Sequence, residues 1–121
     1  MADEITINLN VRATNGLFKF QPAPINVRID QTTAGGGGPG LYTVATTETT
    51  IDFGQANPGL IIMQNTDTTN FVTWGFNTGQ LDAVLSEQNE PTLINLETNS
   101  AVIMKADTAA CKVYIEACNI V

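Results

Sequence analysis

The sequence predicts an all-β protein: a single antiparallel β-sandwich, jelly-roll-like or barrel-like, with an N-terminal hairpin and a glycine-rich loop or arm. Three observations predict it. Short stretches alternate apolar and polar residues, as in "ITINLNV" (5–11), where Ile5, Ile7, Leu9 and Val11 share one face. Turn signals separate such stretches every ~8–12 residues, the spacing of a sandwich or barrel. No segment sustains the i, i+3, i+4, i+7 apolar face of a helix. The 121 residues are the usual size of one domain. A chain of this length buries roughly two-thirds of the surface it exposes when unfolded, so a core needs no metal or disulfide.

The elements follow in order. After 5–11, Asn15-Gly16 signals a tight turn into "LFKF". "QPAP" (21–24) then interrupts the ladder, because proline has no N–H to donate. "INVRID" (25–30) alternates again, with Ile25, Val27 and Ile29 on one face. "TTAGGGGPG" (32–40) reads as a flexible hairpin tip or arm hinge, since glycine loses the most backbone entropy on ordering. It is no phosphate-binding loop: no Lys-Ser/Thr and no helix pattern follow. "LYTVATT" (41–47), "TIDF" (50–53) and "LIIMQ" (60–64) read as strands. "FVTWGF" (71–76) places Val72, Trp74 and Phe76 on one face. Residues 77–85 read as a loop and 86–92 as a polar turn ended by Pro91. "LINL" (93–96), "AVIMKA" (101–106) and "CKVYIEA" (111–117) close the chain. The expected organisation is one domain, 1–121: an N-terminal hairpin or arm over 1–31, a flexible loop over 32–40 and the main sandwich over 41–121.

Charge and composition exclude several classes. The net charge is −7, from 5 Lys+Arg against 12 Asp+Glu. The five basic residues are scattered, so no stripe neutralises phosphates and no nucleic-acid partner is expected. An anionic membrane would repel the chain, and no apolar run reaches the ~18–20 residues of a membrane span. "MADEITINLNV" lacks the basic and apolar regions of a secretory signal, which predicts synthesis in a cytoplasm without Sec export. Charged residues are only 14%, against ~25% in typical domains. Thr and Asn take their place, which suits either a surface partly covered by other chains, the favoured reading, or a Thr/Asn-coated monomer.

The chemistry-bearing residues are few. The chain has no histidine, and so lacks the commonest general base and transition-metal ligand. Cys111 and Cys118 are an odd number of residues apart in one predicted strand. They should face opposite ways and form neither a disulfide nor a zinc site. Ser86 and Ser100 lie outside any nucleophile-elbow context. A carboxylate pair among Asp52, Asp67, Asp82, Glu87 and Glu90 is formally open, but nothing in the sequence joins two of them in a cleft. No catalytic residue, cofactor or metal is expected. "NTDTTNFVTWG" (65–75) starts with calcium-loop spacing at Asn65, Asp67 and Thr69. It then places Asn70 where glycine is needed and Phe76 where a bidentate Glu is needed. The same residues suit Asx- and ST-turns. They predict a self-bonded hairpin tip between two antiparallel strands, 60–64 and 71–76.

Two stretches carry a family resemblance: "NPGLIIMQNTDTTNFVTWG" and "NLETNSAVIMKADTAACKVYIEA". Asn65, Asp67, Asn70, Phe71, Val72, Trp74 and Gly75 form one turn-and-strand signature. Lys105, Ala106, Asp107, Thr108 and Ala109 form a late turn. Together they resemble small β-rich virion structural proteins of tailed bacteriophages. The resemblance covers about 54–117 and is weaker in the first hairpin. It departs at "SEQNEP", where the family pattern has a Pro-Gly-Glu turn. It implies a capsid decoration or cement protein, a homo-oligomer (a trimer over a symmetry axis) bound to the major capsid protein or other virion proteins. It implies no catalytic residues. The alternatives are a neck or tail component at the head–tail joint, or a carbohydrate- or host-surface-binding module using Trp74, Tyr42 and Asp67. Expected interface residues are Gly35, Gly36, Gly37, Gly38, Pro39, Leu41, Tyr42 and Trp74, with the acidic N-terminus.

Overall fold

The computed structural model describes residues 5–31, 36–54, 58–87, 89–97 and 100–119. The acidic N-terminus and Gly35 lie outside the described residues. The described residues form strands and no helix: β1 (Ile5–Leu9), β2 (Ala13–Asn15), β3 (Phe18–Phe20), β4 (Ile25–Ile29), β5 (Gly36–Val44), β6 (Thr49–Thr50), β7 (Leu60–Asn65), β8 (Val72–Gly75), β9 (Ala83–Leu85), β10 (Pro91–Asn95), β11 (Ile103–Ala106) and β12 (Cys111–Cys118). The all-β class and the antiparallel sandwich are as the alternation predicts.

Two four-stranded antiparallel sheets form the body. One has the order β10-β7-β12-β5, the other β6-β11-β8-β9. Their inner faces meet in one core. Met63, Val113 and Ile115 come from the first sheet, and Val72, Leu85 and Met104 from the second, all fully buried. The period-two pattern of β12 accounts for this directly. Cys111, Val113, Ile115 and Ala117 are buried, while Lys112 and Tyr114 are exposed. Val113 and Ile115, both fully buried, each contribute about 1.5–3 kcal/mol through burial. Cys111 is buried and Cys118 half-buried on the opposite face, both as free thiols.

The hairpin expected between 60–64 and 71–76 is not formed. β7 pairs with β10 and β12 in the first sheet, and β8 pairs with β9 and β11 in the second. "NTDTTN" is therefore an arch that carries the chain across the sandwich. Both strands are apolar because both line the core, and a shared apolar face does not by itself make two strands neighbours. Two smaller departures have similar causes. Ala83–Leu85 is a strand within the stretch read as a loop, with Leu85 buried. Of "TIDF", only Thr50 lies in β6, yet Ile51 and Phe53 are buried in the core.

The flexible loop expected over 32–40 falls partly on 32–35, which lie outside the described residues; from Gly36 onward the stretch differs from that expectation. Gly36–Gly40 belong to β5 and pair with β12, across a bulge between Ile115 and Ala117. A Cβ on Gly38 would overlap the Ile115 carbonyl oxygen and lie 2.6 Å from the Glu116 Cα. Gly37 and Gly40 adopt φ of 108° and 74°, which L side chains rarely adopt. The glycines let an edge strand follow a bulged neighbour closely. Pro39 is tolerated because β5 is an edge strand.

Residues 5–29 form a separate ribbon. β1 pairs with β4 and, further out, β2 pairs with β3. Asn10–Arg12 on one side and Gln21–Pro24 on the other joint the two halves, the second where prolines remove ladder donors. Gly16, at φ 60°, and Leu17 make the two-residue turn at the tip. Glycine first in such a turn fits the II′ type, which matches strand twist. Gln31 Nε2 donates to the Asn119 carbonyl at 2.6 Å, fastening the ribbon's base to the body.

Candidate assembly interface

The ribbon is the most unusual surface of the molecule. Its register places Ile5 opposite Ile29, Ile7 opposite Val27 and Leu9 opposite Ile25. Alternation then makes one face wholly aliphatic and the other polar, with Thr6 opposite Arg28 and Asn8 opposite Asn26. Only Ile5, Ile7 and Ile29 are half-buried, and every residue from 8 to 28 is exposed. Leu17 at the tip is 103% exposed, and Phe18 and Phe20 are exposed beside it. A two-stranded ribbon is at best marginally stable alone, and a contiguous apolar face of this kind marks an interaction surface.

The outer face of the first sheet is the second apolar surface. Registers across β10, β7 and β12 align Leu93, Ile62 and Glu116 in one row and Pro91, Gln64 and Tyr114 in the next, with Leu41 of β5 beside Tyr114. Leu93, Ile62, Leu41 and Tyr114 are all exposed. Tyr114 Oη donates to Glu116 Oε1 at 3.1 Å. That bond to a carboxylate raises the phenol pKa above its ordinary value. β1 overhangs this face, leaving a slot of about 320 Å³ between Ile7 and Leu9 on one wall and Leu60, Ile62 and Leu93 on the other.

The expected interface residues divide. Leu41 is exposed on the outer face, and Gly36, Gly37 and Pro39 are exposed along the β5 edge. Gly38 and Tyr42 are half-buried, Tyr42 packing against the core. Trp74 is a correction: it is 7% exposed and part of the core. Its position in β8 alternates with Val72 toward the interior. Its ring meets Phe76 edge-on, centroids 5.7 Å apart, and its Nε1 is buried without a hydrogen-bond partner. Trp74 is buried in the core and Tyr42 packs against that core, so neither offers the open aromatic face that a glycan platform with Asp67 would need. Sequence reasoning placed the arm but missed its apolar tip, Leu17, Phe18 and Phe20. The signal was there: three apolar residues follow the Asn-Gly turn with no buried partner strand to receive them.

The arch at 65–70 is built for itself. The fully buried Asn65 donates from Nδ2 to the carbonyls of Asn70 (2.9 Å) and Leu85 (3.2 Å), and its Oδ1 accepts the Asp67 N–H (2.9 Å). Asp67 Oδ1 accepts the N–H groups of Thr69 and Asn70 at 2.8 and 2.7 Å. The late turn packs on it. Thr108 Oγ1 donates to Asn70 Oδ1 at 2.6 Å, and the Asp107 N–H donates to the Phe71 carbonyl at 3.2 Å. The two sequence signatures are thus the two stacked crossings of one end of the sandwich. Among the described residues, no group of three or more His, Cys, Asp or Glu is placed to hold a metal ion. Burial raises the thiol pKa of Cys118. It does the same for Cys111, with the Asp67 and Asp107 carboxylates adding to it, so both sulfurs are held protonated and poorly nucleophilic.

The Asn70 and Thr69 N–H groups, in that order, hold the Asp67 carboxyl below its ordinary pKa. A depressed pKa stabilises the fold above about pH 4 and loses that contribution as pH falls through the folded-state value. Asp67→Asn should therefore unfold at lower temperature than the parent at pH 7. The gap should close as pH falls below about 4. Parallel thermal melts over that range check this, and a gap independent of pH would contradict it. Comparison with known protein families, curated proteins and solved structures gives no significant match to the chain.

Proposed function

We propose that the chain is a non-enzymatic structural subunit of a bacteriophage virion, a capsid decoration or cement protein that binds the head surface as a homo-oligomer. The observation that carries the reading is the apolar ribbon projecting from a closed sandwich. The body completes its own core, so the ribbon's exposed aliphatic and aromatic side chains serve contacts beyond the fold. The virion setting rests on the resemblance of the two stacked turns to small phage structural proteins. Mechanically, the sandwich is a rigid mount, and the ribbon gains its full order when it buries its apolar face on a neighbour. Such coupling uses some interaction energy for ordering but lets a small domain reach across a large surface.

Copy number tests the reading. Quantitative mass spectrometry of purified particles should find this chain in numbers comparable to the major capsid protein. A count of one small ring per particle would move it to the head–tail joint or tail. Absence from purified particles would overturn the virion reading.

A further inference from the structure

We propose that the ribbon's partner is a second copy of this chain, and that it docks on the outer face of the first sheet. The inference names the partner of the assembly surface and rests on reading the ribbon as an assembly element. Three observations carry it. The first is charge. The ribbon, residues 5–29, holds Arg12, Lys19 and Arg28 and no carboxylate; Asp3, Glu4 and Asp30 adjoin its base in sequence, and the chain from residue 32 holds nine carboxylates against Lys105 and Lys112. The body of each copy attracts the ribbon of another, and the bodies repel one another, so encounters favour ribbon on body. Glu116 stands in the middle of the outer face, and Glu90 and Glu97 flank β10 in sequence.

The second observation is shape. The aliphatic ladder of β1 and β4 is five residues long, or about 17 Å. The outer face offers Leu93 and Ile62 in one cross-strand row and Tyr114 and Leu41 in the next, an exposed apolar patch broad enough to receive side chains of that ladder. The third is the slot between β1 and the sheet. A copy's own ribbon overhangs its own outer face without filling it, leaving an apolar gap open to side chains from a neighbour. Ribbon-on-face contact is heterologous. It closes either as a pair exchanging ribbons or as a small ring, such as the trimer expected from the resemblance.

The experiment is sedimentation of the whole purified chain over a range of concentrations. The parent should form a closed oligomer. Ile25→Asp on the ribbon, or Ile62→Asp on the face, puts a carboxylate into the apolar contact and should weaken association by roughly a hundredfold or more. Both positions are exposed in the single chain, so circular dichroism should show the fold retained. Mixing the two variants should give heterodimers joined by a single contact, because only the intact ribbon of the Ile62→Asp chain meets the intact face of the Ile25→Asp chain. The charge reversal R12E with K19E should weaken association most at low salt. A parent that stays monomeric at every concentration, or an Ile25→Asp chain that associates like the parent, overturns the proposal. Mixed variants that fail to reassociate overturn it as well. A chain abundant on particles yet monomeric in solution would sink self-docking and leave the virion reading standing. An oligomer missing from particles would do the reverse.

Discussion

Asn65→Leu should be among the most damaging single substitutions in the body, lowering stability by about 3 kcal/mol and the melting temperature by on the order of 10 °C. Leucine fills a similar volume, so the loss comes from polar groups and not from a cavity. The Asn65 amide serves three backbone groups at the point where the chain leaves one sheet for the other: the Asn70 and Leu85 carbonyls and the Asp67 N–H. Asn65 is the last residue of β7 in register with β12, and the Thr66 N–H still donates to the Lys112 carbonyl; past that point the Asn65 and Asp67 side chains take the place of a ladder. Removing the Asn65 amide leaves buried groups without partners, at about 1–3 kcal/mol for each one fully desolvated. Differential scanning calorimetry checks the size of the effect. A variant within about 0.5 kcal/mol of the parent, the range of neutral surface changes, would show that the arch does not hold the crossing.

Gly38→Ala is the second, and its sign separates two pictures of the glycine stretch. A flexible loop would gain about 0.4–1 kcal/mol, because alanine restricts the unfolded chain. An edge strand pressed against a bulge should lose about 1–3 kcal/mol, the usual cost of forcing in an extra methyl. The neighbours of the new methyl are the Ile115 carbonyl oxygen and the Glu116 Cα, and backbone atoms cannot turn away as a side chain could. Hydrogen exchange should quicken in Gly36–Val44 and along β12, while β8 and β11 stay protected. Unchanged or raised stability would return the stretch to a loop.

These two residues also mark the limits of what the sequence discloses. Class and strand positions were legible because burial on one face writes a period of two, as in β12 and β1. The self-bonding of 65–70 was legible because Asn, Asp and Thr carry the acceptors that turns require. The pairing was not. β7 and β8 are adjacent in sequence and both apolar, and only the fold decides whether such strands pair or face each other across a core. The glycine run misled for a related reason. Gly38 is there to let another strand come close, and that need is visible only once β12 lies beside it. Trp74 within "FVTWGF" suits core, interface or a sugar platform on sequence alone, and its alternation with buried Val72 is what points it inward. The ribbon is the reverse case. Its alternation was plain, but alternation does not say whether the apolar face is covered by its own chain or by another.

That last distinction is the centre of the account, and one paired measurement addresses it. The double variant Phe18→Asp with Phe20→Asp changes only exposed residues of the ribbon. It should melt within about 2 °C of the parent, since surface changes rarely exceed about 0.5 kcal/mol. When added to particles lacking this chain, it should leave them largely unoccupied at concentrations where the parent saturates them. A variant that occupies particles as the parent does, or one that loses both occupancy and thermal stability, would contradict an arm made for assembly.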